Sequence, residues 1–167
     1  MEERSKLNFI QQQGFNSIHS LSCGLQYSSL LWQPRVIGVL VLFGIGFQLE
    51  SLFLILSLAL FWGALFPRFN IFDLIYNRFW GIRKDRVFLT PAPPPRRFSQ
   101  GLGGGLMLGI CVSLFAEWKI AAICFEMLLV IGLSAPILSK FCIPAYIYHI
   151  IRGEIRFANR TLPWSRG

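Results

Sequence analysis

The sequence predicts an all-α membrane protein: two short transmembrane helical hairpins, about four spans, with an amphipathic interfacial helix in the loop between them. Residues 34–66 and 98–139 each read as two apolar stretches around a single acidic turn. Hydrophobic residues make up 54% of the 167 residues, including 16 Phe, against 14% charged, which is too apolar for a soluble domain of this size. Of 16 Lys and Arg residues only Lys119 falls in one of those turns. The formal charge of +8 is not that of a nucleic-acid binder, because the basic residues border apolar runs and form no basic domain of their own. Anionic lipids or an acidic protein partner suit it better, and no nucleic acid is expected.

Residues 1–33 read as a polar N-terminal surface segment containing Gln11, Gln12 and Gln13. No positive n-region joins an apolar h-region, so no cleavable secretory signal is expected. Residues 21–32 carry a weak pattern for a surface helix. The membrane domain is expected to run over 34–152, opening with Pro34 in a first helical turn, where its missing donor costs nothing. VIGVLVLFGIGFQL leads to Glu50 and Ser51, then LFLILSLALFWGALF runs to a stop at Pro67. Each half is short for a hydrocarbon core about 30 Å thick, which takes about 20 residues to cross. A hairpin therefore needs partly interfacial ends; one long helix through Glu50, steeply tilted, or a re-entrant pair are the competing readings.

The loop 67–97 contains seven basic and two acidic residues. Between Phe69 and Trp80, apolar clusters alternate with Asp73, Asn77 and Arg78, which predicts an interfacial amphipathic helix. Phe72, Ile75, Tyr76, Phe79 and Trp80 are its expected headgroup anchors, with Arg83 and Lys84 among the basic lipid or partner contacts. Pro91, Pro93, Pro94 and Pro95 predict a stiff, extended approach to the next span. In the second hairpin, GLGGGLMLGICVSLFA precedes Glu117-Trp118-Lys119 and IAAICFEMLLVIGLSAPILS returns to Lys140. Gly101, Gly103, Gly104, Gly105 and Gly109 permit close backbone packing, within the bundle or against a partner, and Gly101/Gly105 and Gly105/Gly109 have small-xxx-small spacing. FCIPAYIYHIIRGEIRF begins a short embedded or interfacial helix, and 153–167 forms a basic tail.

Four spans would put the N-terminus, loop 67–97 and the C-terminus on one side, and the positive-inside rule makes that side cytoplasmic. Lys140, Arg152, Arg156, Arg160 and Arg166 reinforce the assignment.

Candidate chemistry is sparse. Glu126 falls inside the fourth predicted span, where a carboxylate must face the bundle, pair, bind a proton or meet another subunit. His19 and His149 are the only histidines and form no compact metal-ligand motif, so no metal is expected. His149 is a weak candidate for contact with a headgroup, quinone, pigment or partner. Asp73 and Asp85 read as local salt-bridge partners rather than a catalytic carboxylate pair. The glycine run 101–105 lacks the context of a phosphate-binding loop, and no Ser/His/Asp or Cys/His constellation stands out.

The stretches FNIFDLIYNRFWGIR, TPAPPPRRFSQGLG and FCIPAYIYHI resemble the integral membrane family DUF4395 over residues 30–152. The resemblance implies a small multispan protein and brings no established reaction. In many relatives the C-terminal motif looks like CxxC followed by an aromatic-containing helix. Here Cys142 matches the first cysteine and Ala145 stands at the second, which removes the resolving thiol of a simple disulfide cycle.

The expected function is a small accessory or assembly subunit that packs against a larger membrane complex, photosynthetic or respiratory, and stabilises it. The alternatives are a membrane thiol oxidoreductase using Cys142 and a small transporter using Glu126. The sequence names no cofactor.

Overall fold

A computed structural model of the protein describes residues 2–15, 23–80 and 88–162. Its helices are α1 (Glu2–Gln12), α2 (Cys23–Leu30), α3 (Trp32–Phe47), α4 (Glu50–Leu65), α5 (Ile71–Phe79), α6 (Pro94–Phe115), α7 (Lys119–Leu138), α8 (Ile143–Ile151) and α9 (Ile155–Arg160), with a 3-10 turn at Pro67–Phe69. Among the described residues there are no strands.

The apolar runs become α3, α4, α6 and α7. α2 and α3 are nearly continuous, so Cys23–Phe47 forms a 25-residue helix; α6 has 22 residues and α7 has 20. These three are long and apolar enough to cross a membrane, whereas α4 is apolar but shorter. At about 1.5 Å per residue α4 extends roughly 24 Å.

Both hairpins turn in the same way. Gln48 ends α3 in the left-handed conformation at φ 49°, and the Leu49 amide reaches back to the Gly44 carbonyl at 3.0 Å. Glu117 does likewise at φ 57°, with the Trp118 amide on the Ser113 carbonyl at 2.8 Å. These six-to-one bonds satisfy carbonyls that a helix end leaves free. They rule out one long helix through residue 50. The turn also lies earlier than the sequence suggests: Glu50 is the first residue of α4, where a carboxylate suits the positive end of the helix.

α6 is the central helix, packed on α4, α7 and α8, while α3 lies against α4 and α7. Ser57 donates to the Gly104 carbonyl at 2.9 Å across the α4/α6 contact. A Cβ on Gly104 would stand 3.3 Å from the Ser57 backbone oxygen and 3.4 Å from Leu60 Cβ. One on Gly101 or Gly105 would meet nothing within 4 Å. Internal packing thus uses Gly104, which the spacing did not single out, and Gly109, which Phe125 contacts. Gly104→Leu is expected to cost about 1–3 kcal/mol by overpacking, whereas Gly105→Leu leaves stability unchanged. Unfolding of both variants in mixed micelles checks this, and equal losses would refute it.

Val41, Phe53, Leu56, Met107, Ile110 and Leu129 belong to the inner core of the bundle. Outside it, Val39, Leu42, Phe47, Ile55, Leu58, Phe115, Ile120, Met127 and Leu128 are exposed, an apolar surface that suits lipid better than water.

A second core caps one end of the bundle and corrects several expectations. The N-terminal segment is not a surface segment: Phe9, Ile10, Phe15, Tyr27, Leu30 and Leu31 pack with Tyr76, Leu89, Cys142 and Ala145. Its apolar residues recur at helical spacing among polar ones, a pattern hidden by the low mean hydropathy. The first helix long and apolar enough to cross a membrane begins at Cys23 rather than Pro34. Pro34 has no N–H for the Leu30 carbonyl, and the helix is interrupted at Leu31 instead of starting there. Pro94 and Pro95 are not extended but form the first turn of α6, which Pro93 precedes at ψ 164°, because proline's fixed φ suits a helix start. The tail is only partly a surface: Ala158 and Thr161 are buried, while residues 163–167, including Arg166, lie outside the described part.

Candidate functional site

α5 starts where Asn70 accepts a hydrogen bond from the Phe72 amide at 3.1 Å. Its inward face carries Phe72, Asp73 and Tyr76, all buried. Phe72 and Tyr76 are therefore core residues rather than headgroup anchors, and Trp80 is half-buried with its ring 4.3 Å from that of Trp32. Ile71, Leu74, Ile75 and Phe79 form an outward apolar face, with Arg68 and Arg78 exposed nearby. α5 is apolar on two sides because it lies between the bundle and whatever surrounds it. Arg83, Lys84, Asp85 and His19 lie outside the described residues.

Beneath the cap is a cavity of ≈ 130 Å³ lined by α3, α4, α6, α7 and the start of α8, with Phe9 of α1 and Leu30 of α2 at its edge. Its walls are mostly apolar, including Ile37, Leu60, Leu106, Met107, Leu129 and Leu133. At the cap end it meets Gln13, Gln33, Arg96, Ser99, Gln100 and Cys142. Arg96 Nη2 donates to Asp73 Oδ1 at 2.6 Å and to Gln33 Oε1 at 3.0 Å, and its guanidinium lies 5.8 Å from the Phe15 ring centre. The salt-bridge reading of Asp73 holds, with a partner across the loop. Burial raises the Asp73 carboxyl above the usual carboxylate range, and the charge and hydrogen bond of Arg96 oppose that only in part.

Among the described residues four buried side-chain atoms have no hydrogen-bond partner: Asn70 Nδ2, Gln100 Oε1, Asp73 Oδ2 and Arg96 Nη1. The first two crowd Gly63, lying 3.2 and 3.3 Å from where its Cβ would be. Arg96 Nη1 is left as an unmet donor on a residue that lines the cavity.

Cys142 is the N-cap of α8 and is buried. Its amide donates to Gln12 Oε1 at 2.9 Å, and its sulfur is 3.6 Å from Ser99 Oγ. Burial pushes the thiol above the ordinary cysteine range; hydrogen bonds from the Ala145 backbone, Ser99 and Gln13 and the Arg96 charge pull it down but do not prevail. Ala145, at the CxxC position, is fully buried.

His149 is not free to ligate a cofactor. Nδ1 lies 2.6 Å from Glu154 Oε2 and Nε2 3.0 Å from the Gln12 carbonyl. Both ring nitrogens thus face protein oxygens, on a side chain that is buried. Glu126 faces the turn of the first hairpin, where Gln48 Nε2 donates to it at 3.3 Å. It ties one hairpin to the other. No group of three potential metal ligands occurs among the described residues.

With the cap, the Pro-Pro-Arg start of α6 and the Cys142 helix in view, the sequence comparison is decisive: the DUF4395 profile, a domain of unknown function, matches residues 30–152. The chain belongs to the DUF4395 family. No curated protein and no solved structure matches it significantly. The DUF4395 region spans the bundle and α8, and α1 completes its cap from outside the matched residues. The sequence singled out Cys142 but missed Arg96, Gln33 and Gln100. A buried arginine in a basic loop looks like any other until its acceptor is placed beside it.

Proposed function

We propose that this DUF4395 protein is a small accessory or assembly subunit that packs against a larger membrane protein complex and stabilises it, photosynthetic and respiratory assemblies being the candidates. The supporting observation is the outward face of α6. Gly101 and Gly105 have open space beside them, and Leu108 and Val112 on the same face are exposed. A helix backbone from another protein can approach closely there, and close van der Waals packing is what drives association in lipid.

In this reading α4 crosses with the three longer helices, and the cap of α1, α5, α8 and α9 sits on the cytoplasmic side, where the basic residues concentrate. α5 then rests in the headgroup layer through Ile71, Leu74, Ile75 and Phe79, with Arg68 and Arg78 beside anionic lipid. The test is gentle extraction from native membranes followed by intact-complex mass spectrometry. Association with one defined complex is expected, lost in Gly105→Leu while the fold is kept; a lone wild-type particle sinks the reading.

A second reading, a thiol oxidoreductase, draws on the position of Cys142 at the wall of the cavity. With Ala145 in place of a second thiol, its disulfide partner would be an external thiol or another cysteine of the chain, Cys23 belonging to the same buried core cluster. Undiminished thiol–disulfide turnover in Cys142→Ser eliminates it.

A further inference from the structure

The cavity has the properties of a binding site for a lipid-soluble molecule. Its volume of ≈ 130 Å³ is close to that of apolar protein cavities of about 150 Å³ that take up a benzene ring, so it can hold one ring or a short run of methylenes. The apolar walls make water a poor occupant of the inner part, since a bound water needs two to four polar partners. The polar groups gather at the cap end, in the pattern by which a few placed donors orient an otherwise apolar ligand.

Two further features give the site a direction. Arg96 is 5% exposed and lines the cavity, yet its Nη1 has no acceptor. Nη1 has almost no surface of its own in the cavity, so an acceptor oxygen at this end meets it through a small shift of the side chain, satisfying a charged donor that is otherwise unmet. The opening is lateral: of the lining residues, Leu102 on α6 is 40% exposed, and a Cβ on Gly132 of α7 would meet nothing within 4 Å. These two helices are apolar enough to cross a membrane, so the gap between them faces acyl chains and admits what dissolves in them.

We infer that the cavity binds one lipid-soluble molecule with an apolar body and an oxygen-acceptor head, the head meeting Arg96 beside the Cys142 thiol and the body leaving between α6 and α7. A quinone carbonyl and a fatty-acid carboxylate share that chemistry. Arg96 already pairs with Asp73 at 2.6 Å, so the site is formally neutral and neither head is excluded by charge.

The experiment uses the full chain in phosphatidylcholine nanodiscs, with decyl-ubiquinone in one arm and decanoate in the other. Native mass spectrometry counts bound molecules, and peptide mapping follows alkylation of Cys142 by N-ethylmaleimide. The expected result is one bound molecule per chain in at least one arm, with labelling of Cys142 slowed about tenfold or more. Binding in the quinone arm alone identifies a carbonyl head, and binding in the decanoate arm alone a carboxylate. Gly132→Leu, which narrows the mouth without a clash, is expected to weaken binding about tenfold or more, and Leu102→Trp provides a second closure if the first disturbs folding. No bound molecule in either arm, or equal binding after the mouth is closed in a folded variant, overturns the inference.

Discussion

Arg96→Met is expected to destabilise the protein by about 3–5 kcal/mol at neutral pH, because it removes one partner of a buried ion pair and leaves the other uncompensated. The side chain holds Asp73 at 2.6 Å and Gln33 at 3.0 Å, linking α6 to α5 and α3. Burial already raises the Asp73 carboxyl, and without Arg96 the two influences that lower it are gone, so it rises further. A carboxyl whose folded pKa lies above its unfolded value contributes its full stability below the unfolded pKa, and loses it as pH rises through the folded pKa. The deficit of Arg96→Met is therefore largest at neutral pH and shrinks on acidification. The double variant Arg96→Met/Asp73→Leu is expected to regain most of it, since an apolar pair often replaces a buried ion pair without loss. Detergent-denaturant titrations at neutral and acid pH decide the matter; a deficit independent of pH would show that Asp73 does not carry the effect.

Tyr76→Ala is expected to cost about 3–5 kcal/mol, the range for truncating a buried aromatic side chain. Tyr76 is 1% exposed and its hydroxyl donates to Ser29 Oγ at 2.6 Å, while Ser29 donates in turn to the Leu25 carbonyl. The substitution opens a cavity between α5 and α2 and breaks that relay. Phe79→Ala, three residues further along the same short helix, is expected to change stability by no more than about 0.5 kcal/mol, because Phe79 is 69% exposed. Side-by-side unfolding in one detergent separates a core residue from an interfacial one. Similar small losses in both would return Tyr76 to the role of headgroup anchor that the sequence suggested.

The contrast between Tyr76 and Phe79 shows where the sequence stopped being informative. In the segment Ile71–Phe79 apolar residues occur on more than one side, so the pattern predicts a helix but not which face the protein covers. The same limit applies at Pro34 and Pro94. Proline is compatible with a first turn and with a helix interruption, and only the neighbouring turn distinguishes them. The N-terminal segment misled for a related reason. Gln12 and Gln13 read as surface residues, yet Gln12 is fully buried, with its side chain on the Cys142 amide and Thr161 and its carbonyl on His149.

The all-helical fold, the hairpin division of the two apolar regions and the apolar exterior were legible in the sequence, since each depends on local composition and on the length of chain between interruptions. Gln33 lies on α3, Arg96 and Gln100 on α6 and Cys142 at the start of α8, and their meeting at one end of a cavity depends on how those three helices pack. That was decided by tertiary structure alone, because hydrogen-bond complementarity between residues 63 and 67 positions apart leaves no periodic trace in the chain.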